Sequence, residues 1–362
     1  MDSANDASAD FARGSGTGGA ANSRGRTRLV NSRAGSSETR NPAAKKRAGE
    51  AASGSLSLGV MPTFAARGAY TALVTPFLAS DDAPIDWSGF EKLVEAQVAA
   101  RVAGVVPCGT TGESPTLADD EQAEVVKRTV ALVAGRAEVV AGCGGASTSK
   151  ASALAAKAEA AGADAIMVVV PYYNRPSQEG LVQHFVQIAR STALPVVVYN
   201  IPGRSAVDLG IESLARIVDA CPNVVAVKEA TGNVLRAMEI GRRFGSRLSV
   251  LSGDDALTLP MLAIGATGVI SVASNVRPRA VARVIELWNE GRAADALTLH
   301  RRLLPVYEAM FCEANPGPAK CVLANAGMMS NELRLPMTPV SEASAVSIAA
   351  AIAAFDAAGA LP

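Results

Sequence analysis

From Ala69 onward the chain alternates short, β-branched apolar runs with Ala-rich segments of helical period, and this alternation constrains the fold more than any other feature. The runs fall at residues 70–75, 104–107, 138–141, 165–170, 195–199, 224–228, 248–251 and 268–271. Helical stretches lie between them, among them 87–101, 119–133, 149–161, 178–191 and 211–220. The runs are continuously apolar rather than alternating, which is the pattern of strands buried on both faces of a parallel sheet. Eight such strands, each followed by a helix, predict an α/β fold of the (β/α)₈ TIM-barrel type over residues 63–292. About 90 residues follow the eighth strand. One helix suffices to close the barrel, so residues 293–362 are expected to form a small C-terminal helical extension. A doubly wound sheet would place a glycine-rich phosphate turn after the first strand, and the segment there, TPFLASDDAP, has no glycine.

Residues 1–62 have a different composition, rich in Ser, Gly, Ala and Arg and poor in branched apolar side chains. Such a segment buries too little surface to offset its ordering entropy and is expected to be a disordered tail or a targeting segment. Between Phe11 and Gly49 it carries nine basic residues and one acidic residue, Glu38, as a plastid or mitochondrial transit peptide does. Three aspartates among its first ten residues argue against that role, and Met61 stands as an alternative initiator. A cytoplasmic location is therefore expected, with a plastid one as the alternative.

Lys plus Arg and Asp plus Glu both total 34 in the 362 residues, so neither nucleic acid nor an anionic membrane is expected as a partner. No apolar run reaches the roughly 18 residues of a membrane span. The five cysteines are scattered without a CxxC pair, and the two histidines, His184 and His300, lie far apart. A metal site and a histidine-based triad are both disfavoured. A tyrosine, a carboxylate or a lysine remains as the base.

In a barrel of this type the working residues lie at the carboxyl ends of the strands and in the loops that follow. Strand two runs into CGTTGES, strand four into PYYNRPSQEG, strand five into YNIPGR, strand six into VKEATGN, strand seven into SGDD, and strand eight is VISV. Lys228 closes an apolar strand, where burial disfavours the ammonium and yields a neutral amine able to attack a ketone. Pairing with Glu229 is the alternative at this point. Tyr199 ends the preceding strand, within reach of Lys228, as a proton relay or as a packing residue. The Thr110–Thr111 turn offers amides and hydroxyls to a carboxylate. Arg204 suits a second carboxylate or is a surface arginine.

The motifs GTTGES, PYYNRPSQEG, YNIPGR, VVAVKEATGN, LSGDD and GVISV, in this order, resemble the 4-hydroxy-tetrahydrodipicolinate synthase (dihydrodipicolinate synthase) family over roughly residues 69–339. The resemblance implies a homotetrameric lyase that condenses pyruvate with L-aspartate 4-semialdehyde, on the diaminopimelate route of lysine biosynthesis, without a metal or an organic cofactor. It implies Lys228 as the Schiff-base lysine and Tyr199 as proton donor and acceptor, with Thr110 and Tyr173 completing a hydroxyl relay. Thr111 and the Ile270 backbone match pyruvate-binding positions, Gly253 lies beside them, and Arg204 matches the residue that receives the semialdehyde carboxylate. Tyr172 marks a subunit interface. Sibling aldolases acting on N-acetylneuraminate or 2-keto-3-deoxy sugar acids share the Lys and Tyr, and a non-catalytic keto-acid-binding barrel is the alternative of another class. Arg204 and the double tyrosine favour the synthase.

Feedback-inhibited relatives bind L-lysine at an interface cleft through a glutamate and an asparagine. Here Ser114 and Tyr172 match that cleft, while Ala146 stands at the asparagine position and Lys150 at the glutamate position. A cation where the ligand brings a cation implies insensitivity to L-lysine.

Overall fold

The computed structural model describes residues 64–362, so the expectations for residues 1–62 lie outside the described residues. Eight parallel strands close into one barrel in sequence order, with the eighth hydrogen-bonded to the first. They are β1 (Gly68–Ala72), β2 (Gly104–Val106), β3 (Glu138–Gly142), β4 (Ala165–Val169), β5 (Val196–Asn200), β6 (Val224–Glu229), β7 (Ser249–Ser252) and β8 (Gly268–Ser271). The helices around them are α1 (Trp87–Ala99), α2 (Asp119–Val133), α3 (Thr148–Ala161), α4 (Gln178–Arg190), the single turn α5 (Pro202–Ser205), α6 (Ile211–Ala220), α7 (Val234–Phe244), α8 (Thr258–Ala263) and α9 (Pro278–Asn289). The extension contributes α10 (Ala293–Ala309), α11 (Gly317–Asn325) and α12 (Glu342–Ala357). Among the described residues no helix is long and apolar enough to cross a membrane.

Two apolar layers hold this arrangement. Alternate strand residues point into the barrel, where Tyr70, Val106, Val140, Met167, Val197 and Leu251 are buried together. The intervening residues, among them Val105, Ile166, Val198, Val227 and Val269, pack outward against the helices. Both faces of each strand are therefore dry, which accounts for the unbroken apolar runs in the sequence. Local signals set the helix ends. Asp86 and Asn233 cap α1 and α7 by accepting from the Gly89 and Arg236 amides at 3.0 and 3.1 Å. Arg101, expected inside α1, has φ +60°, a left-handed conformation that ends the helix two residues sooner.

The first strand also differs from expectation. The apolar run reaches Thr75, yet β1 ends at Ala72. The Val74 amide donates to Asn275 Oδ1 at 3.2 Å and Thr75 Oγ1 donates to the Gly112 carbonyl at 2.8 Å, so these residues leave the ladder for a buried loop. Periodicity cannot separate a buried loop from a buried strand, because both are apolar throughout.

His184 on α4 faces α3, with Nδ1 2.8 Å from Thr148 Oγ1 and its ring edge-on to Phe185. Burial pushes its pKa down from 6.5 to about 4. The folded state thus holds it neutral while the unfolded chain protonates it near 6.5. Its contribution is complete above that pH and is lost as pH falls toward 4, by about 3 kcal/mol in all. Melting temperature measured from pH 7 to pH 4.5 should fall more steeply for the wild type than for His184→Gln. Parallel curves would remove His184 from the acid response.

Candidate active site

The parallel ladder between β5 and β6 pairs Tyr199 with Lys228. Both side chains enter the carboxyl end of the barrel, and Lys228 Nζ lies 4.1 Å from the centroid of the Tyr199 ring. Lys228 is 5% exposed. Among the described residues no carboxylate lies within ion-pair distance of it, because Glu229 turns away to Arg236 Nε at 3.1 Å and to the Thr231 amide at 2.9 Å. That excludes the reading of Lys228 as the partner of Glu229. Burial lowers the Lys228 pKa to about 7; the Asp255 charge opposes this shift and the Arg204 charge adds to it. An amine with this pKa is substantially unprotonated near neutrality, as a nucleophile must be. Burial pushes the Tyr199 phenol up to about 12, with Arg204 acting in the opposite direction. The phenol therefore stays protonated and available as a donor.

Two adjoining cavities meet at this pair. A small one of about 40 Å³ is lined by Lys228, Tyr199, Thr110, Thr111, Gly253 and Asn315, among others. A larger cleft of about 440 Å³ is lined by Thr110, Ser114, Tyr172, Tyr173, Tyr199 and Arg204, among others, and does not reach Lys228. Thr110, Tyr199 and Arg204 lie on both. Gly253 is required where it stands: a Cβ there would come within 2.5 Å of the Ala230 Cβ, whereas the bare backbone lets its amide donate to the Glu229 carbonyl at 2.8 Å.

The remaining expected residues are distributed unevenly. Arg204, on the single turn α5, is exposed at the mouth shared by the two cavities. Thr111 is buried and accepts from Asn315 Nδ2 at 3.0 Å. Tyr173 has φ +71° and is 93% exposed, so it rims the larger cleft with its ring in solvent. Ile270 is buried in β8 opposite Tyr70 and lines neither cavity; Val272, just beyond the strand, lines the small one. Ser114 and Tyr172 line the larger cleft. Ala146 and Lys150 do not: the Ala146 carbonyl accepts from Asn174 Nδ2 at 3.0 Å, and Lys150 pairs with Asp119 at 2.7 Å on a half-exposed surface.

Sequence reasoning missed three groups. Asn315 and Phe311 come from the extension and line the small cavity. Asp255, in the loop after β7, is buried and accepts from the Val272 and Ala273 amides at 2.9 and 3.1 Å. Lys320, on α11, is wholly buried against Glu113. Only Asp255 carried a signal, as the last residue of the SGDD strand end. Among the described residues no cluster of His, Cys, Asp and Glu suits a metal.

The sequence profile of the dihydrodipicolinate synthetase family matches residues 65–355. The 4-hydroxy-tetrahydrodipicolinate synthase of Sorangium cellulosum is 50% identical over 290 residues, covering 80% of this chain and 96% of its own length. That of Gluconacetobacter diazotrophicus is 45% identical over 81% of this chain and 98% of its own. Among solved structures, the synthase of Methylacidiphilum fumariolicum SolV superposes with a TM-score of 0.78 at 43% identity, covering 80% of this chain and 96% of its own. The dihydrodipicolinate synthase of Aquifex aeolicus does so with a TM-score of 0.78 at 41% identity, covering 80% and 98%. The motifs at the strand ends, the closed barrel and these likenesses agree, and the chain belongs to the dihydrodipicolinate synthetase family.

Proposed function

We propose that this chain is a 4-hydroxy-tetrahydrodipicolinate synthase, a lyase that joins pyruvate to L-aspartate 4-semialdehyde through a Schiff base on Lys228. The observation that carries the assignment of Lys228 is a buried lysine without a counter-ion, at a strand end, facing a tyrosine in a small cavity that adjoins an arginine-edged cleft. The Lys228 amine adds to the pyruvate ketone carbon, and the carbinolamine oxygen leaves as water once protonated. Tyr199 is the group placed to carry that proton. The protonated imine then acts as electron sink while a methyl proton leaves, giving an enamine. Its carbon attacks the aldehyde of the second substrate, whose own amine displaces Lys228 and closes the ring.

Thr111 and the neighbouring backbone suit the pyruvate carboxylate, with the Ile270 backbone supporting them from β8. Gly253 keeps that pocket open, and Arg204 suits the semialdehyde carboxylate. Thr110 and Tyr173 extend the proton relay from Tyr199. The exposed, left-handed Tyr173 and its neighbour Tyr172 fit a contact between subunits, in line with a homotetramer built from dimers. The assignment suits a cytoplasmic enzyme of lysine biosynthesis.

Three outcomes follow. Borohydride should trap pyruvate on Lys228 alone, at a rate that rises with pH through about 7 and then levels, because only the unprotonated amine attacks and burial lowers its pKa to that value. Peptide mass spectrometry that places the label on another lysine, or finds none, defeats the Schiff-base assignment. Arg204→Ala should raise the apparent KM for the semialdehyde by about 10- to 100-fold, the worth of a charge-assisted hydrogen bond, and leave that for pyruvate nearly unchanged. Equal effects in steady-state kinetics would make Arg204 scaffold rather than ligand. Millimolar L-lysine should not inhibit, since Lys150 stands at the position of the glutamate that would meet the ligand's ammonium, and Asp119, the carboxylate beside it, is already engaged by Lys150. An inhibition midpoint below about 1 mM would refute that.

A further inference from the structure

The loop that carries Thr110 and Thr111 into the site is secured largely by groups outside itself. Within residues 109–114 only short turn bonds operate, such as the Gly112 amide to the Gly109 carbonyl at 3.0 Å and the Glu113 amide to the Thr110 carbonyl at 3.1 Å. Glu113 lies at φ +54°, in the left-handed region that a non-glycine residue occupies only when its surroundings hold it there. Its side chain is buried and points away from the cavities into the C-terminal extension. One carboxylate oxygen meets Lys320 Nζ at 2.5 Å and the other accepts from the Arg334 amide at 3.1 Å.

Lys320 is equally committed. It is wholly buried on α11, donates to the Glu332 carbonyl at 2.8 Å and stands 4.1 Å over the Phe77 ring. On the same side of the loop, Asn315 Nδ2 donates to Thr111 Oγ1 at 3.0 Å. That bond occupies a lone pair of the hydroxyl and leaves its proton to be donated elsewhere. Burying both members of an ion pair is costly, and an apolar pair of equal volume would serve packing as well. What the charged pair adds is a directed attachment between two segments 207 residues apart.

We propose that Glu113 and Lys320 are positioning residues for this reaction: their buried ion pair fastens the Thr110–Thr111 loop to the C-terminal extension and fixes both hydroxyls relative to Lys228. The inference rests on the Schiff-base reading of Lys228 and adds that the extension is part of the catalytic apparatus without touching the reacting atoms through this pair. Because Thr111 is the group assigned to pyruvate, a loosened loop should act on pyruvate more than on the semialdehyde.

The test compares the full-length chain with Glu113→Gln, Lys320→Met and the double variant. Each single change leaves one uncompensated buried ion and lowers the melting temperature; the double variant leaves none and restores folding. Borohydride-trapped Lys228 counts competent sites, so turnover is expressed per trapped site and partial unfolding does not enter. Positioning predicts a loss of about 10- to 100-fold in kcat per site that persists in the double variant, the scale of a small misplacement in an active site. It also predicts a larger rise in KM for pyruvate than for the semialdehyde. Wild-type turnover per site in the double variant, whatever its melting temperature, overturns the proposal and leaves the pair a matter of stability alone. A wild-type chain in which no lysine traps pyruvate sinks the Schiff-base reading instead, and the positioning role is then decided on turnover per folded molecule.

Discussion

Removing the Lys228 amine from water without giving it a counter-ion is the interaction on which the site depends. A protonated lysine in that position lacks both hydration and a carboxylate, so its proton is held weakly and its pKa falls to about 7. The barrel creates this condition through ordinary packing. Parallel strands with both faces covered leave few places for a polar side chain except the carboxyl rim, and Lys228 is the next-to-last residue of β6, at that rim. Consecutive strand residues point to opposite faces, so Glu229 faces away from the amine and meets Arg236 instead.

The strand register then decides which chemistry the amine meets. Tyr199 and Lys228 are direct partners across β5 and β6, so no loop has to fold correctly for the phenol to lie beside the amine. Strands hold Lys228 and Tyr199, while loops and the single turn α5 carry Thr110, Thr111 and Arg204. Sites built in this way separate precision from adaptability. The loops after β2 and β5 line both cavities, while Lys228 and the extension residues Phe311 and Asn315 line only the small one, and the loop after β4 lines only the larger.

Strand positions, and the placing of Lys228 and Tyr199 side by side at adjacent strand ends, were legible in the sequence because they depend on local periodicity and on strand order in a barrel. Six of the eight strands moved by one residue at one or both ends, β8 fell where expected, and β1 lost its last three expected residues to bonds with the Asn275 side chain and the Gly112 carbonyl. Those partners are more than thirty residues distant, and no window centred on Thr75 contains them. The same limit hid Asn315 and Lys320. Both lie in a stretch that reads as helix-prone tail, and their roles exist only once the extension folds back over the barrel mouth. Of the residues the motif resemblance singled out, Thr111, Gly253 and Arg204 line the small cavity, whereas Ile270 lies buried in β8 and Val272, two residues on, lines the cavity instead.

The two buried lysines among the described residues show why burial alone does not identify a nucleophile. Burial pushes both pKa values down, yet Lys320 stays near 8 because Glu113 and a carbonyl accept from it, whereas Lys228 reaches about 7 with only the more remote Asp255 opposing the shift. The difference lies less in the degree of desolvation than in what the protein provides after it. Lys320 finds a carboxylate in contact and no cavity, so its amine is saturated and has nothing to attack. Lys228 finds an aromatic face and an empty volume beside it. A paired buried lysine fixes one segment of backbone to another, and an unpaired one at the edge of a cavity is held ready for a carbonyl. In the positioning role proposed above, the first holds in place the loop whose hydroxyls the second requires.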